Sequence, residues 1–271
     1  MIRVCVAGAT GWTGGAVARA LLGADGLELV SAVARTHAGR DLGAAWGGEP
    51  VGVPVTGTVL EALAAAPADV LVDYTSHEAV RAHVGAAIER GVAVVVGSSG
   101  LTAADYAAID EAATARGVGV VAAGNFSVTA ALAQAAALLV APHLPHAEVI
   151  DYASAGKRDA PSGTARELAE RLSGTERAVT PPMTPADGPP EARGAEVGRV
   201  RVHSLRLPSF SVSTEVVFGL SDERLTIRHD AGGSAAPYVA GTLLAIRAVT
   251  TRPGLTRGLD TLLLGGGGGT G

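Results

Sequence analysis

The stretch IRVCVAGATGWTGGAVARALL, residues 2–22, decides the fold class. It begins as a short run rich in β-branched residues, passes three glycines, Gly8, Gly11 and Gly14, and continues with helical spacing. A strand, a glycine loop and a helix in this order predict a dinucleotide-binding turn, because glycines let the backbone approach a pyrophosphate at a helix N-terminus. We expect cofactor contacts from the loop residues Gly8, Ala9, Thr10, Gly11, Trp12 and Thr13.

The same alternation of strand and helix continues to about residue 125. Four further apolar runs predict strands, each separated by an amphipathic helix: LELVSAVA, DVLVDYT, VAVVVGSSG and GVGVVAAGNF. Near-continuous apolar strands predict a parallel sheet covered on both faces. The fold class is therefore α/β, with a Rossmann-type doubly wound parallel sheet.

The pattern changes after Asn125. A long Ala/Leu-rich helix precedes the strand AEVIDYAS and the helix ARELAERL, and three alternating runs then predict antiparallel strands with one wet face. Residues 174–198 are rich in Pro and Gly and predict an extended loop. We expect a dinucleotide-binding domain at 1–126 plus 237–264, since the last helix is predicted to return to it. A second α+β domain is expected at 127–236, and the GGGGGTG tail, 265–271, is expected to be flexible.

Two more loops and one arginine complete the predicted cofactor site. Ligands of doubly wound sheets bind at the carboxyl ends of the strands. This rule assigns nicotinamide contacts to Gly97, Ser98, Ser99, Gly124, Asn125 and Phe126. The second strand ends without an acid, and Arg35 follows it. An arginine without a neighbouring carboxylate suits a 2′-phosphate, so NADPH is the expected cofactor and NADH the alternative.

Lys157 is the only lysine of the 271 residues and stands in the loop KRDAPSGTA. Ser162 and Thr164 are predicted caps of the helix that follows, and the amides of Gly163 and Thr164 would form an anion site. Lysine presents a compact ammonium where arginine presents a planar fork. A site that grips one carboxylate oxygen or donates a proton can require it, which predicts a small-molecule carboxylate as substrate.

Composition excludes other classes of partner. The formal charge of -5 and the absence of long like-charge runs argue against binding to nucleic acid or a membrane surface. Cys5 is the only cysteine and lies in an apolar run, which predicts a buried thiol in a reducing compartment. The N-terminus lacks the features of a signal peptide and no run predicts a membrane span, so we expect a cytoplasmic protein. No clustered ligand set predicts a metal.

The loop KRDAPSGTA resembles the K-x-D-A-P-S-G-T-A signature of the 4-hydroxy-tetrahydrodipicolinate reductase family, also called dihydrodipicolinate reductases. Further segments resemble that family in the same order along nearly the whole chain: VDYTSHEAV, VVVGSSGLT, GNFSVTA, AEVIDY, EARGAEV and LTIRHD. The resemblance implies a Rossmann domain, a tetramer-forming α+β domain, and hydride transfer from NAD(P)H to a cyclic unsaturated dicarboxylate of the diaminopimelate and lysine route. It implies that the substrate is held by Lys157, Ser162, Gly163 and Thr164, and the cofactor by GATGWT, Arg35, GSS and GNF.

One segment departs from the family pattern. The family loop reads E-x-H-H-x-x-K, its first histidine being taken as the general acid and its second as a substrate contact, whereas this chain reads DYASAGK. Ala153 and Ser154 stand at the two histidine positions. Ser154 is retained as a candidate substrate contact. Alanine has no proton to give, so Lys157 becomes the best candidate acid, with His203, His229 and water as alternatives.

Three functions are compatible with the departure at Ala153. The first is the lysine-route reductase working with a substituted acid. The second is a reductase of the same fold acting on another cyclic imine or unsaturated amino acid in specialised metabolism. The third is a non-catalytic NADPH-binding protein, against which the intact cofactor loops and Lys157 argue.

Overall fold

The computed structural model describes residues 1–176, 178–181 and 188–265. Contacts between Cα positions divide the chain into two compact units. Unit 1 comprises Met1–Ser127 and the chain from Ala235 onward, and unit 2 comprises Val128–Ser234. The sequence analysis predicted these boundaries after residue 126 and before residue 237. Of the predicted tail, residues 266–271 lie outside the described residues.

Unit 1 is built on one parallel sheet. Numbered along the chain, its strands are β1 (Ile2–Ala7), β2 (Leu27–Val33), β3 (Val55–Thr56), β4 (Val70–Asp73), β5 (Ala93–Val96), β6 (Gly119–Ala122) and β12 (Gly254–Arg257). They lie in the order β12-β6-β5-β4-β1-β2-β3. Every pairing in this sheet is parallel, and the strand order reverses at β1, as in a doubly wound fold. The fold class is the one that the sequence predicted.

The helices of unit 1 are α1 (Trp12–Leu21), α2 (Leu42–Ala45), α3 (Val59–Ala65), α4 (Val80–Glu89), α5 (Ala103–Arg116), α8 (Ala236–Val249) and α9 (Leu259–Leu264). Capping boxes at Thr58 and Thr102 start α3 and α5. Strands β4, β5 and β6 are buried along their whole length, because helices cover both faces. Cys5 is buried in β1, as its apolar context predicted, and burial raises the pKa of its thiol to about 11.

Unit 2 pairs a mixed sheet with two helices. Its strands are β7 (His146–Ala153), β8 (Ala195–Val197), β9 (Val200–Arg206), β10 (Val212–Gly219) and β11 (Arg224–Asp230), and its helices are α6 (Val128–Val140) and α7 (Gly163–Ser173). The strand order is β11-β10-β7-β9-β8. Burial alternates strictly along β7, so Val149, Asp151 and Ala153 face the helices and the residues between them face away.

Two details of unit 2 differ from the prediction. Strand β9 pairs with β7 in parallel, although alternation alone suggested only antiparallel neighbours. The segment predicted as an extended loop, 174–198, contains a 3₁₀ turn at Pro190–Arg193 and the strand β8. A three-residue strand is too short to show alternation in a stretch rich in Pro and Gly, and its hydrogen bonds come from β9.

Candidate active site

The glycine loop between β1 and α1 is tightly folded. Gly8 has a φ of +82°, in the left-handed region that favours glycine. A Cβ at Gly8 would overlap the carbonyl oxygen of Tyr74, and one at Gly14 would overlap that of Gly8. Gly11 donates its N–H to Gly8 O at 2.9 Å and stands at the N-cap of α1. The turn therefore depends on glycine, and α1 begins directly after it, as a phosphate site requires.

Both tryptophans of the chain adjoin this loop. Trp12 is 57% exposed and meets the ring of Tyr238 edge-on, with centroids 5.8 Å apart. Trp46 donates its indole N–H to the carbonyl oxygen of Ala9 at 3.0 Å, and the Arg19 guanidinium lies 4.2 Å above its ring. Trp46 thus fixes the backbone at Ala9. No sequence signal connects this residue with a loop that lies far earlier in the chain.

Arg35 lies at the predicted adenosine end of the sheet. It begins a 3₁₀ turn, Arg35–His37, just after β2, and it is exposed. Among the residues that the structure describes, no carboxylate pairs with Arg35. The guanidinium is therefore available to an anion from solution, and its contact with a 2′-phosphate stays a prediction.

A buried carboxylate that the sequence analysis did not identify organises the sheet edge where nicotinamide contacts were predicted. Asp73, the last residue of β4, is fully buried. Its Oδ1 accepts hydrogen bonds from the Ser98 hydroxyl at 2.5 Å and from the N–H and hydroxyl of Thr75 at 3.1 and 2.8 Å. Its Oδ2 lies 2.7 Å from Nδ1 of His83 on α4. Asp73 therefore ties two loops of the sheet edge, those after β4 and β5, to one helix.

The GSS loop, residues 97–99 after β5, has side chains that face in different directions. A Cβ at Gly97 would overlap the Tyr74 ring, so this position has room only for glycine. The Ser98 hydroxyl is turned inward: it donates to Asp73 and accepts from Thr75 N at 2.7 Å. Ser99 is exposed. Of the two serines predicted to contact the cofactor, Ser99 faces solvent, whereas the Ser98 hydroxyl forms its hydrogen bonds inside the protein.

The GNF loop, residues 124–126 after β6, likewise has both exposed and buried residues. Gly124 is exposed, and the Asn125 side chain accepts a hydrogen bond from Ser127 N at 2.8 Å. Phe126 is only 1% exposed, and its ring meets Tyr74 edge-on with centroids 6.1 Å apart. The Phe126 side chain belongs to the core of unit 1, so any contact it makes with a cofactor is through its backbone.

In unit 2, the predicted substrate loop is built on a second buried carboxylate. Asp151 of β7 is fully buried. It accepts hydrogen bonds from Ser162 N at 2.8 Å and from the Ser162 hydroxyl at 2.6 Å. Ser162 also N-caps α7 by accepting from Ala165 N. The Ser162 side chain is thus buried, while Gly163 and Thr164 form the partly exposed start of the helix.

Lys157 stands in the same loop, close to but not inside this network. Its Nζ lies 2.8 Å from Oδ1 of Asp159, and both side chains are about one third exposed. Arg206 of β9 connects the pair to Asp151, because its Nη2 donates to Asp151 Oδ2 at 2.8 Å and to the carbonyl oxygen of Asp159 at 2.6 Å. Asp151 and Arg206, which sequence analysis did not identify, therefore hold the loop that carries the lysine.

The two positions at which the family histidines were expected differ in exposure. Ala153 is fully buried at the end of β7, whereas Ser154 is partly exposed and accepts a hydrogen bond from Lys157 N at 3.0 Å through its carbonyl oxygen. Tyr152 faces the opposite side of the sheet, because burial alternates along β7. There its hydroxyl donates to Glu215 at 3.1 Å, and burial together with this carboxylate raises the pKa of Tyr152.

Two classes of feature are not found among the described residues. In these ranges no group of three or more His, Cys, Asp or Glu side chains is arranged to hold a metal ion. No helix of the described chain is long and apolar enough to cross a membrane.

The fold and the candidate ligand loops of the two units together define a class of protein. A Rossmann-type unit with a glycine turn, followed by an α+β unit whose helix start adjoins a lysine, is a two-unit oxidoreductase that uses a nicotinamide cofactor. Two family models described as dihydrodipicolinate reductase, N-terminus and C-terminus, match residues 2–126 and 125–263. The chain belongs to the dihydrodipicolinate reductase family, a family of NAD(P)H-dependent oxidoreductases, and the resemblance predicted from its loops is confirmed.

Individual relatives agree with the family. The 4-hydroxy-tetrahydrodipicolinate reductase of Moorella thermoacetica is 38% identical over 265 residues, which cover 97% of this chain and 98% of the relative. That of Thermosynechococcus vestitus is 37% identical over 268 residues and covers 97% of each. A dipicolinate-bound dihydrodipicolinate reductase from Paenisporosarcina sp. TG-14 is 28% identical, with a TM-score of 0.75 over 96% of this chain and 99% of the other. An amine dehydrogenase from Mycobacterium smegmatis, 17% identical with a TM-score of 0.64, shares the fold alone.

Proposed function

We propose that this protein reduces 4-hydroxy-tetrahydrodipicolinate with a hydride from NADPH. The observation that carries the proposal is the loop between β7 and α7, where a lysine stands beside an open helix start in a chain that matches the named reductases over nearly its full length. A dicarboxylate fits this arrangement, because the ammonium and the helix amides offer separate anion contacts. The alternatives, another imine substrate and a non-catalytic protein, are not favoured by these relatives.

In unit 2, Lys157, Gly163 and Thr164 hold the substrate. The Lys157 ammonium contacts one carboxylate, and the amides of Gly163 and Thr164 with the Thr164 hydroxyl contact the other. Ser162 supports them from inside, since its hydroxyl is bonded to Asp151. Ser154, partly exposed at the start of the same loop, lies at the rim.

In unit 1, the cofactor pyrophosphate binds at residues 8–13 and the nicotinamide at the GSS and GNF loops. Ser99 and Gly124 are exposed there, Gly97 and Asn125 are partly exposed, and the side chains of Ser98 and Phe126 hold the loops in place from inside the protein. Arg35 favours NADPH over NADH because it is exposed and no carboxylate among the described residues neutralises it.

The reaction balances in simple steps. Loss of the ring hydroxyl as water would leave a conjugated C=C–C=N unit, and a reduced nicotinamide held by residues 8–13 and the GSS and GNF loops would supply the hydride for its terminal carbon. The electron pair moves toward the ring nitrogen, and a proton then adds to the neighbouring carbon and restores the C=N bond. One NADPH and one proton are consumed, and NADP⁺, water and the reduced ring are released. The chain supplies the anion contacts and a donor for the proton.

We further propose a cytoplasmic homotetramer assembled through unit 2. The face of its sheet that points away from α6 and α7 carries partly exposed apolar and aromatic residues, among them Ile150, Tyr152 and Val217. Sedimentation velocity of the purified protein tests this, and a monomer at micromolar concentration contradicts it.

The function is tested by following NADPH absorbance with freshly prepared 4-hydroxy-tetrahydrodipicolinate. We expect turnover by the wild type, its loss by at least a hundredfold in Lys157→Ala, and near-normal rates in Arg158→Ala, which removes the adjacent exposed charge. Absence of turnover in a protein that binds NADPH would sink the proposal.

Calorimetry tests the cofactor preference. We expect Arg35→Ala to weaken NADPH binding by at least tenfold and to leave NADH binding unchanged, because only NADPH carries the 2′-phosphate. Arg40→Ala, a second exposed arginine near the end of β2, serves as the control. Equal losses for both cofactors would contradict the preference.

A further inference from the structure

A polar row crosses the helix-covered face of the unit 2 sheet. Cross-strand pairing sets one residue from each of four strands side by side: His229, Thr214, Asp151 and Ser204. The row next to it is apolar and consists of Ile227, Val216, Val149 and Val202. A polar side chain beside an apolar core costs free energy unless it forms a hydrogen bond, so a buried one without a partner calls for a functional explanation. Asp151 and Ser204 are bonded to each other, which leaves the His229 end of the row to be explained.

A small cavity opens against that end of the row. Thr164 in the first turn of α7, Gln134 of α6, Thr214 and His229 all line it. Its volume of about 20 Å³ gives room for one water molecule. Thr214 Oγ1 is buried in the cavity wall and has no hydrogen-bond partner among the described residues. This hydroxyl is therefore a ready partner for a water that would lie between His229 and Thr164.

His203 and His229, the two histidines considered as alternative acids, lie on opposite faces of the unit 2 sheet. His203 of β9 is on the outer face, where its Nε2 lies 2.8 Å from a carboxylate oxygen of Glu148. His229 is on the inner face, the face of Ala153, and its Nε2 lies 3.0 Å from the hydroxyl of Thr129. Only His229 shares a cavity with the helix start that the proposed function assigns to substrate.

The charges around His229 are few. On α6 it lies beside the Thr129 hydroxyl and shares the cavity with Gln134, and on α7 the Glu167 carboxylate accepts a hydrogen bond from Gln134. On its own strand, Arg228 and Asp230 bond to each other. Burial lowers the pKa of His229, and Asp230 opposes this shift. The ring therefore changes charge below neutral pH in the free protein, and a substrate anion nearby would raise its pKa.

We propose that His229 delivers the proton of the reduction through one water in this cavity. The proposal rests on the proposed function. After the hydride adds to the ring, the water gives a proton to the neighbouring carbon and takes one from the imidazolium of His229, which is then reprotonated from solvent. The side chain of Ala153 cannot supply this proton, and the ion pair commits one hydrogen of the Lys157 ammonium to Asp159.

Kinetics give the first test. We expect wild-type kcat to fall as pH rises through the His229 titration in the complex. In His229→Gln, kcat should drop about a hundredfold and lose this dependence, because a general acid contributes roughly 10² to 10⁴ in rate. NADPH affinity should be unchanged. His203→Gln, the matched histidine on the opposite face, should keep the wild-type profile. A wild-type kcat and profile in His229→Gln would overturn the proposal.

A second test does not depend on turnover. The imidazole signals of both histidines are followed by NMR during pH titration, with and without saturating dipicolinate and with NADP⁺ present. We expect dipicolinate to raise the pKa of His229 and to leave His203 unchanged. If dipicolinate binds and His229 does not respond, this proposal fails and the proposed function stands. If the wild type neither binds dipicolinate nor turns over substrate, the proposed function fails and this proposal fails with it.

Discussion

The two units fix their candidate ligand loops in the same way. In unit 1 the buried Asp73 accepts a hydrogen bond from Ser98 in the loop after β5, and in unit 2 the buried Asp151 accepts one from Ser162 in the loop before α7. Each carboxylate is fully excluded from solvent. In both units the serine within a recognisable motif turns inward, and its neighbours, Ser99 in one and Gly163 with Thr164 in the other, form the surface.

The difference lies in the basic partner of each carboxylate. Asp73 is paired with His83 at 2.7 Å, whereas Asp151 is paired with Arg206 at 2.8 Å. The imidazole offers one nitrogen to Asp73, whereas the guanidinium donates both to Asp151 and to the Asp159 carbonyl oxygen. The loops after β4 and β5 are therefore tied to α4 through a single ring nitrogen, and the loop before α7 is held by a forked cation.

The largest expected effect comes from removing the carboxylate charges. Asp151→Asn should lower the free energy of unfolding by about 3 to 5 kcal/mol, because Arg206 is left charged and largely buried. Asp73→Asn should cost only about 1 to 3 kcal/mol, because the amide keeps an oxygen that can accept from Ser98 and Thr75 and leaves no arginine unpaired. Urea denaturation measures both, with hydrogen exchange of β4 and β7 peptides to assign the loss to one unit. A larger cost for Asp73→Asn would reverse the comparison.

The serines should give a smaller and nearly equal effect. Ser98→Ala and Ser162→Ala each remove a hydrogen bond to a buried carboxylate, which is worth about 1.5 to 3 kcal/mol. Ser99→Ala, the exposed neighbour, should change the free energy of unfolding by less than about 0.5 kcal/mol. The same urea denaturation applies to all three variants. A stable Ser98→Ala protein with weakened NADPH binding would show instead that this hydroxyl faces the cofactor.

Arg206→Lys tests the arginine anchor more finely. One guanidinium nitrogen contacts both Asp151 and the Asp159 carbonyl oxygen, and lysine can keep the charge without the fork geometry. We expect substrate binding to weaken by about 1 kcal/mol, which would appear as a roughly fivefold rise in KM for the substrate at unchanged NADPH affinity. Arg201→Lys on the same strand is the control. Parallel rises in both would indicate a general loss of strand stability.

The smallest effect is expected at the Lys157–Asp159 ion pair. Because both side chains are about one third exposed, solvent and salt screen the pair, and such pairs contribute about 0 to 1 kcal/mol. Lys157→Ala should therefore unfold within about 1 kcal/mol of the wild type while losing activity. A larger destabilisation, measured in the same denaturation series, would make this lysine a structural residue.

Much of the fold was predictable because its signals are long. Five apolar runs and the helices between them gave the parallel sheet, and a strand followed by glycines and a helix gave the cofactor turn. Strand β3 was missed because it has only two residues, and β12 because its sequence, GLTR, is not an apolar run; both form by pairing with strands distant in sequence. The parallel pairing of β7 with β9 likewise depends on tertiary packing.

The site was predictable where a motif marks it and not where folding assembles it. The loops 8–13 and 157–164 are contiguous in sequence, so their residue types could be read directly. Asp73 and Asp151 carried a weaker signal, an acid within an otherwise apolar strand, which predicts a bonded buried charge. His83 and Arg206 became partners of those acids only through the fold.

The placement of Trp12 and Trp46 has an optical consequence. They are the only tryptophans of the chain, both adjoin the glycine turn, and unit 2 has none. Indole emission overlaps the absorption of a reduced nicotinamide, so a cofactor bound at this turn would accept energy from both rings. The intrinsic fluorescence of the protein is therefore a built-in gauge of occupancy in unit 1, and Trp12→Phe and Trp46→Phe would separate an exposed emitter from a hydrogen-bonded one.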